Sequence, residues 1–333
     1  MNITILGGGG FLGQRIAKTL AREGALGGHT IASLTLFDLH TPPAPDAPFP
    51  VTTLAGDIVT LPEAAIPEAA IPPGTNVIFH LAAIVSAQAE ADYDLGRRVN
   101  LRGADAVVDA CRRLTQNGGK PPRVIFTSSV ASFSGGQTAI LADDARQIPA
   151  NSYGAQKAAA ELILADACRR GFMDTVSIRL PTVIVRPGRP NKAASSFFSA
   201  ILREPLLGLE TELPVPETFA AWVCEPRAAT AWLLHAAAMD TAGLGLDRGI
   251  NPPGISVTIA QLLAGLDTVK PGASALVKRA PDPAVEAIVG PWPAAFIPTR
   301  ATHLGFAPHG SIVDLIRAFI EDDLDATRAD RGP

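Results

Sequence analysis

Short apolar runs alternate with longer segments of helical periodicity through the first half of the chain. Residues 3–6, 34–38, 76–81, 124–128 and 176–180 are brief, apolar and β-branched, which reads as strand. Residues 12–23, 97–114 and 153–170 are rich in alanine, leucine and arginine, which reads as helix. Strands alternating with helices predict right-handed βαβ units and an α/β fold built on a doubly wound parallel sheet.

The pattern changes twice. Residues 41–73 carry nine prolines and the near repeat PEAAIPEAAIP at 62–72. Proline at that density forbids a long helix, so this stretch is expected to run as a surface loop around one sheet edge. Beyond residue 186 the alternation stops, with helices expected at 195–203, Pro226–Ala238 and 311–323 and a turn at NPPG, 251–254. Two units follow from this: an α/β domain over 1–185 and a smaller C-terminal lobe over 186–333. About 220–250 is expected to return to the first unit.

Composition narrows the function classes. The 333 residues carry a formal charge of −4 and 47% apolar content, enough chain to bury roughly three quarters of the unfolded surface. A mildly acidic chain with no basic stripe interleaved with aromatics is not expected to bind nucleic acid, and nothing draws it to an anionic membrane. MNITILGGGG has neither a charged leader nor a long apolar run, so no signal peptide or membrane span is expected. Cys111, Cys168 and Cys224 are odd in number and far apart. They suggest packing thiols in a reducing cytoplasm, with no disulfide framework and no metal.

The first candidate chemistry is GGGGFLG at 7–13, between the first strand and the first helix. Gly7, Gly10 and Gly13 let the backbone approach a pyrophosphate, and the helix N-terminus beyond them, entered through Phe11 and Leu12, favours an anion. Asp38 ends the second strand, where a carboxylate can take both ribose hydroxyls of an adenosine; it would repel a 2′-phosphate, so NAD is expected rather than NADP. GDI at 56–58 ends the next strand-like run and offers Asp57 to an adenine amine, with a plain turn role nearly as good a reading, and Ile58 accompanies it. Together these define a Rossmann-type nucleotide site.

NSYGAQK at 151–157 sets Tyr153 and Lys157 one helical turn apart on one face. An ammonium there would lower the phenol's pKa from about 10 and make Tyr153 a general base. TSS at 127–129 ends a strand 24 residues earlier, where a serine, Ser128 or Ser129, can meet the tyrosine across a nicotinamide.

GGGGFLG, Asp38, GDI, HLAA (80–83), NLRG (100–103), FTSS (126–129), YGAQK (153–157) and RLPTVIVRPG (179–188), in that order, resemble the short-chain dehydrogenase/reductase superfamily in its extended form, the sugar-nucleotide epimerases and dehydratases. Two departures are Leu6, where many members carry threonine, and ASFSG (131–135), where epimerases tend to show a VYG-like motif. The resemblance implies that Ser129 hydrogen-bonds the reacting hydroxyl, Tyr153 takes its proton, and Lys157 holds the nicotinamide ribose and tunes Tyr153. It further implies that Asn100 supports the site through water, that Leu81, Ala82, Ala83, Pro181, Thr182 and Val183 contact the cofactor, and that His80 is structural. Helices 97–114 and 153–170 resemble the pair that such enzymes use in a two-fold four-helix interface, which implies a homodimer.

Residues 179–208, with VSAQAE after HLAA, LPVPET (213–218) and LGF (304–306), resemble one branch of this group, the D-erythronate dehydrogenases. This implies oxidation of a four-carbon sugar acid at C2 with NAD. A small aldonate needs a cation or N–H donors for its carboxylate and partners for its hydroxyls. Ser86, Ser129, Tyr153, Asn191, Ser195 and Arg203 are the candidates. Arg186, Arg189 and Lys192 would equally suit the diphosphate of a sugar nucleotide. Phe197, Phe198, Trp222 and Trp232 read as packing residues, which leaves little to stack a base. A sugar-nucleotide epimerase with tightly held NAD, and a non-catalytic NAD sensor, are the alternatives.

Overall fold

The computed structural model describes residues 1–60, 70–136, 140–188, 193–308 and 310–331. Its centre is a sheet of seven parallel strands: β1 (Asn2–Leu6), β2 (Ser33–Asp38), β3 (Val51–Ala55), β4 (Val77–His80), β5 (Arg123–Ser129), β6 (Asp174–Leu180) and β7 (Gly249–Ile250). They lie in the order β3-β2-β1-β4-β5-β6-β7. The order reverses between β1 and β4, and that reversal opens a crevice at the strand C-termini where a nucleotide binds. The strands are near-continuous apolar runs because helices cover both faces. One face packs with the helices Phe11–Glu23 and Pro226–Ala238; the other packs with Gly103–Gln116 and Ser152–Arg169.

The proline-rich stretch is not loop throughout, and the strand-like run before GDI is a true strand. It contains the edge strand β3, flanked by Pro50, whose carbonyl accepts from Leu34 N–H at 3.0 Å. Proline is tolerated there because an edge strand leaves one row of N–H groups unpaired. Most of the PEAAIPEAAIP repeat lies outside the described residues.

A separate core gathers Phe197, Phe198, Ile201, Leu202, Leu262 and Phe319 from the second half of the chain. A small sheet ties it to the crevice: Ala220–Cys224 pairs in parallel with Thr182–Val183 and antiparallel with Ile255–Thr258. Trp222 and Trp232 are buried in packing roles, Trp222 against Phe296 and Trp232 with its indole N–H on Ala307 O at 2.8 Å. No helix among the described residues is long and apolar enough to cross a membrane.

Candidate active site

The glycine loop fits a dinucleotide because side chains are sterically forbidden in it. Gly7 adopts φ +90°, and a Cβ there would stand 2.7 Å from Ala82 N; one on Gly13 would stand 2.2 Å from Gly7 O. The loop is pulled onto the sheet by the N–H groups of Gly7 and Gly8 on Phe37 O, at 2.8 and 3.0 Å. Asp38 stands beside it, its carboxylate accepting from Gly9 N–H at 2.8 Å and Leu39 N–H at 2.7 Å. Asp57 accepts from Val59 N–H at 3.0 Å and pairs with Arg98 at 3.7 Å, while Ile58 is buried against Gly103. On the opposite wall, Leu81 and Ala82 donate their N–H groups to Leu6 O at 2.8 and 3.0 Å.

Gly7, Gly10, Phe11, Leu12, Gly13, Leu81, Ala83, Pro181, Thr182 and Val183 all line one cavity, which continues past Ser129, Tyr153 and Lys157 to Ser86 and Ser195. The helix Ser152–Arg169 delivers the tyrosine. Asn151 caps it by accepting from Gly154 N–H at 2.7 Å, and Asn151 is itself held by Ser134 of the ASFSG stretch at 3.1 Å. Gly154 is required here: a Cβ would fall 2.2 Å from Ala131 O, so only glycine lets the helix start this close to the end of β5. Sequence reasoning missed that glycine, although it stands inside YGAQK.

The two serines separate in space. Ser128 donates to Glu161, whereas Ser129 accepts from Ala131 N–H at 3.1 Å and lies close enough to Tyr153 to pull its pKa down. Lys157 is buried, its Nζ donating to Thr127 O at 2.8 Å and lying 4.6 Å from the Phe126 ring centroid and 5.7 Å from that of Tyr153.

The electrostatics differ from the sequence argument. The atoms packed around the Tyr153 phenol desolvate it and push its pKa up to about 12, against the opposing pull of Ser129 and the Arg186 cation. Burial brings Lys157 down to about 7, with Glu161 working the other way. An ammonium taken out of water loses the charge that was to stabilise the phenolate. His80 is pushed to about 3, first by burial and then by Lys157, and neither of its ring nitrogens has a hydrogen-bond partner among the described residues. It is a neutral packing residue beneath the site, 5.2 Å from Phe126 ring to ring.

Asn100 is committed to the protein. Its amide nitrogen donates to Ile84 O at 3.0 Å and Gln156 Oε1 at 2.8 Å, and its oxygen accepts from Ile84 N–H at 2.8 Å. It therefore braces the loop after β4 against the tyrosine helix by direct contact, where a water had been expected. Arg203 is a correction: it is buried outside the cavity, bound to Glu204 at 2.8 Å and to Arg186 O at 2.7 Å, because the helix Ser196–Leu206 turns it inward. Asn191, Arg189 and Lys192 lie outside the described residues. Arg186 and Trp292 line the cavity. Trp292 could not have been placed there from sequence, since it arrives from a distant part of the chain.

A parallel sheet with a glycine cradle at its switch point and a serine, tyrosine and lysine around the adjoining cavity defines a nicotinamide-dependent oxidoreductase of the extended short-chain class. The chain belongs to the NAD dependent epimerase/dehydratase family, whose model matches residues 3–219, and NAD is its cofactor. It is 45% identical to a D-erythronate dehydrogenase of Cupriavidus necator, over 97% of this chain and 98% of the relative. It is 39% identical to a D-erythronate dehydrogenase of Haemophilus influenzae, over 97% of this chain and all of the relative. A crystal structure named as a nucleoside-diphosphate-sugar epimerase from Agrobacterium tumefaciens superposes with a TM-score of 0.91 at 41% identity, covering 98% of this chain and 96% of that one.

Proposed function

We propose that the protein oxidises the C2 hydroxyl of D-erythronate to 2-dehydro-D-erythronate with NAD. The observation that carries the reading is the meeting of Ser129, Tyr153 and Lys157 in the cavity that begins at the glycine cradle. The full-length likeness to two D-erythronate dehydrogenases supports the substrate. When bound, NAD accepts the hydride from C2, and the positive charge of its ring favours a nearby phenolate. Gly7, Gly10 and Gly13 hold its diphosphate, and Asp38 its adenosine ribose, with Asp57 and Ile58 beyond. Ser129 orients the reacting hydroxyl, Tyr153 takes its proton as the carbonyl forms, and Lys157 positions the nicotinamide end. Ser86 and Ser195 supply hydroxyl partners to the substrate. Asn100 acts as a positioning residue through Ile84 and Gln156.

The test is NADH absorbance with a panel of four- to six-carbon aldonates. D-erythronate should reduce NAD. Tyr153→Phe should lower kcat by about 10²- to 10⁴-fold while NAD affinity stays within about twofold. Absence of NADH with every aldonate would remove this reading. The name of the Agrobacterium structure, and Trp292 in the cavity wall, favour a second reading as a sugar-nucleotide epimerase. That enzyme would turn over a UDP- or dTDP-sugar without net NADH.

The proposal includes a division of labour between residues 1–185 and 186–333. The helix Pro226–Ala238 and β7 join the sheet unit, sharing its core through Trp232, Leu233 and Ile250. It also includes a homodimer through the helices Gly103–Gln116 and Ser152–Arg169, supported by an outward apolar strip of Val108, Leu162, Ile163 and Phe172 in which Leu162 is 71% exposed. The free cysteines, with Cys111 and Cys224 buried, suit a reducing cytoplasm.

A further inference from the structure

Arg186 opens the segment that leaves the cofactor crevice, and its backbone is gripped at both polar ends. Its N–H donates to Ser199 Oγ at 3.0 Å and its carbonyl accepts from Arg203 at 2.7 Å. Arg203 is anchored in turn on Glu204, which also takes Arg331 at 2.8 Å, and Arg331 reaches Gly188 O at 3.2 Å. Three contacts, two from the helix Ser196–Leu206 and one from Arg331, thus fix the chain at 186–188. With its backbone held, the Arg186 side chain lines the cavity beside Ser195 and Tyr153.

That cavity contains an unbalanced charge. Among its described lining residues are two cations, Lys157 and Arg186, and no aspartate or glutamate. Lys157 is committed to Thr127 O. Among the described residues Arg186 has no ion pair, and its side chain makes a single long hydrogen bond, 3.4 Å, to Ser195 Oγ. Burial, and the neighbouring Arg203 cation, bring its pKa down to about 10, with Tyr153 working the other way. A half-buried guanidinium with no carboxylate beside it is unfavourable in a folded chain, and its planar fork of donors matches a carboxylate. Two buried arginines nearby, Arg179 and Arg203, are each paired with a glutamate.

We propose that Arg186 is the carboxylate anchor of the substrate site, with Ser195 beside it, and that it makes the enzyme select 2-hydroxy acids over uncharged polyols. The assignment rests on the oxidation proposed above. It also accounts for the position of the oxidised carbon. Arg186 stands close enough to Tyr153 for its charge to act on the phenol, so a carboxylate held by it lies next to the carbon whose hydroxyl faces the tyrosine.

The experiment compares wild type, Arg186→Met and Arg186→Lys with D-erythronate and the uncharged polyol erythritol, alongside NAD binding. Arg186→Met should lower kcat/KM for the acid by about 10²- to 10³-fold, chiefly through KM, with NAD affinity within about threefold and a loss toward erythritol at least tenfold smaller than that toward the acid. Arg186→Lys should recover part of the loss, because a point charge replaces half of a bidentate pair. Retention of kcat/KM within about threefold in Arg186→Met, or equal loss toward acid and polyol, would overturn the assignment. If the wild type oxidises no acid, the oxidation reading fails by itself. Calorimetric binding of oxalate to the NAD complex then decides the anchor: binding by the wild type that Arg186→Met abolishes supports it, and binding that the variant retains, or no binding to the wild type, overturns it.

Discussion

Lys157 has lost much of the water around it, and its proton affinity records the loss. Its ordinary pKa of 10.5 falls to about 7 in the fold. Between those values the unfolded chain holds the extra proton, so stability rises with pH across that window; below about pH 7 both states are protonated and the full desolvation cost is present. Lys157→Met should therefore raise the melting temperature of the cofactor-free chain most at pH 6–7, with the gain fading toward pH 10. Thermal melts across that range check it, and a gain independent of pH would show that ammonium burial is not the cause. Legibility was uneven at this scale. YxxxK spacing placed Tyr153 and Lys157 on one helical face from sequence, but their ionisation follows from neighbours distant in the chain, so the expected lowering of the Tyr153 pKa gave way to a rise.

The helix Ser152–Arg169 and strand β6 are joined by a buried ion pair. Glu161, one turn beyond Lys157, meets Arg179 at 2.9 Å and also accepts from Ser128 and Gln147. The pair packs tightly: a Cβ on Gly249 in β7 would stand 2.3 Å from the Arg179 guanidinium. Through Ser128 it holds the end of β5 in register, so that Ser129 faces the tyrosine. Removing one partner strands a buried charge. Glu161→Met should cost about 3–5 kcal/mol in denaturant unfolding, whereas Glu161→Met with Arg179→Met should recover most of it. Equal losses in the single and double variants would show that the pair carries no coupling. The helix and strand were readable from periodicity, but their cross-link was not, since helical and strand periods place residues on faces and do not state which faces meet.

For the whole molecule, the apolar strip around Leu162 turns an exposed leucine outward, at 71% exposure, between the partly buried Val108 and Phe172. If it closes a two-fold helix pair, Leu162→Glu should shift the light-scattering mass from dimer to monomer while leaving the fold intact by circular dichroism. A wild type that is monomeric at micromolar concentration would refute the dimer. The two cores and the sheet of Thr182–Val183, Ala220–Cys224 and Ile255–Thr258 place the substrate wall on chain segments separated by more than a hundred residues. No local pattern carries information over that distance.

By itself the sequence determined the alternation of strands and helices in the first half of the chain, the glycine cradle, the place of Asp38 at a strand end and the Tyr153–Lys157 face, because each depends on spacing within a few residues or on one strand–turn–helix unit. Tertiary structure alone decided that Ser128 serves Glu161 while Ser129 serves Tyr153, that Gly154 must be glycine, and that Trp292 enters the cavity. It also decided that Arg186 faces the cavity while Arg203, equally cationic and 17 residues on, is spent on Glu204. Those outcomes depend on burial and on which distant groups share a dielectric environment, and both come into being only when the elements pack.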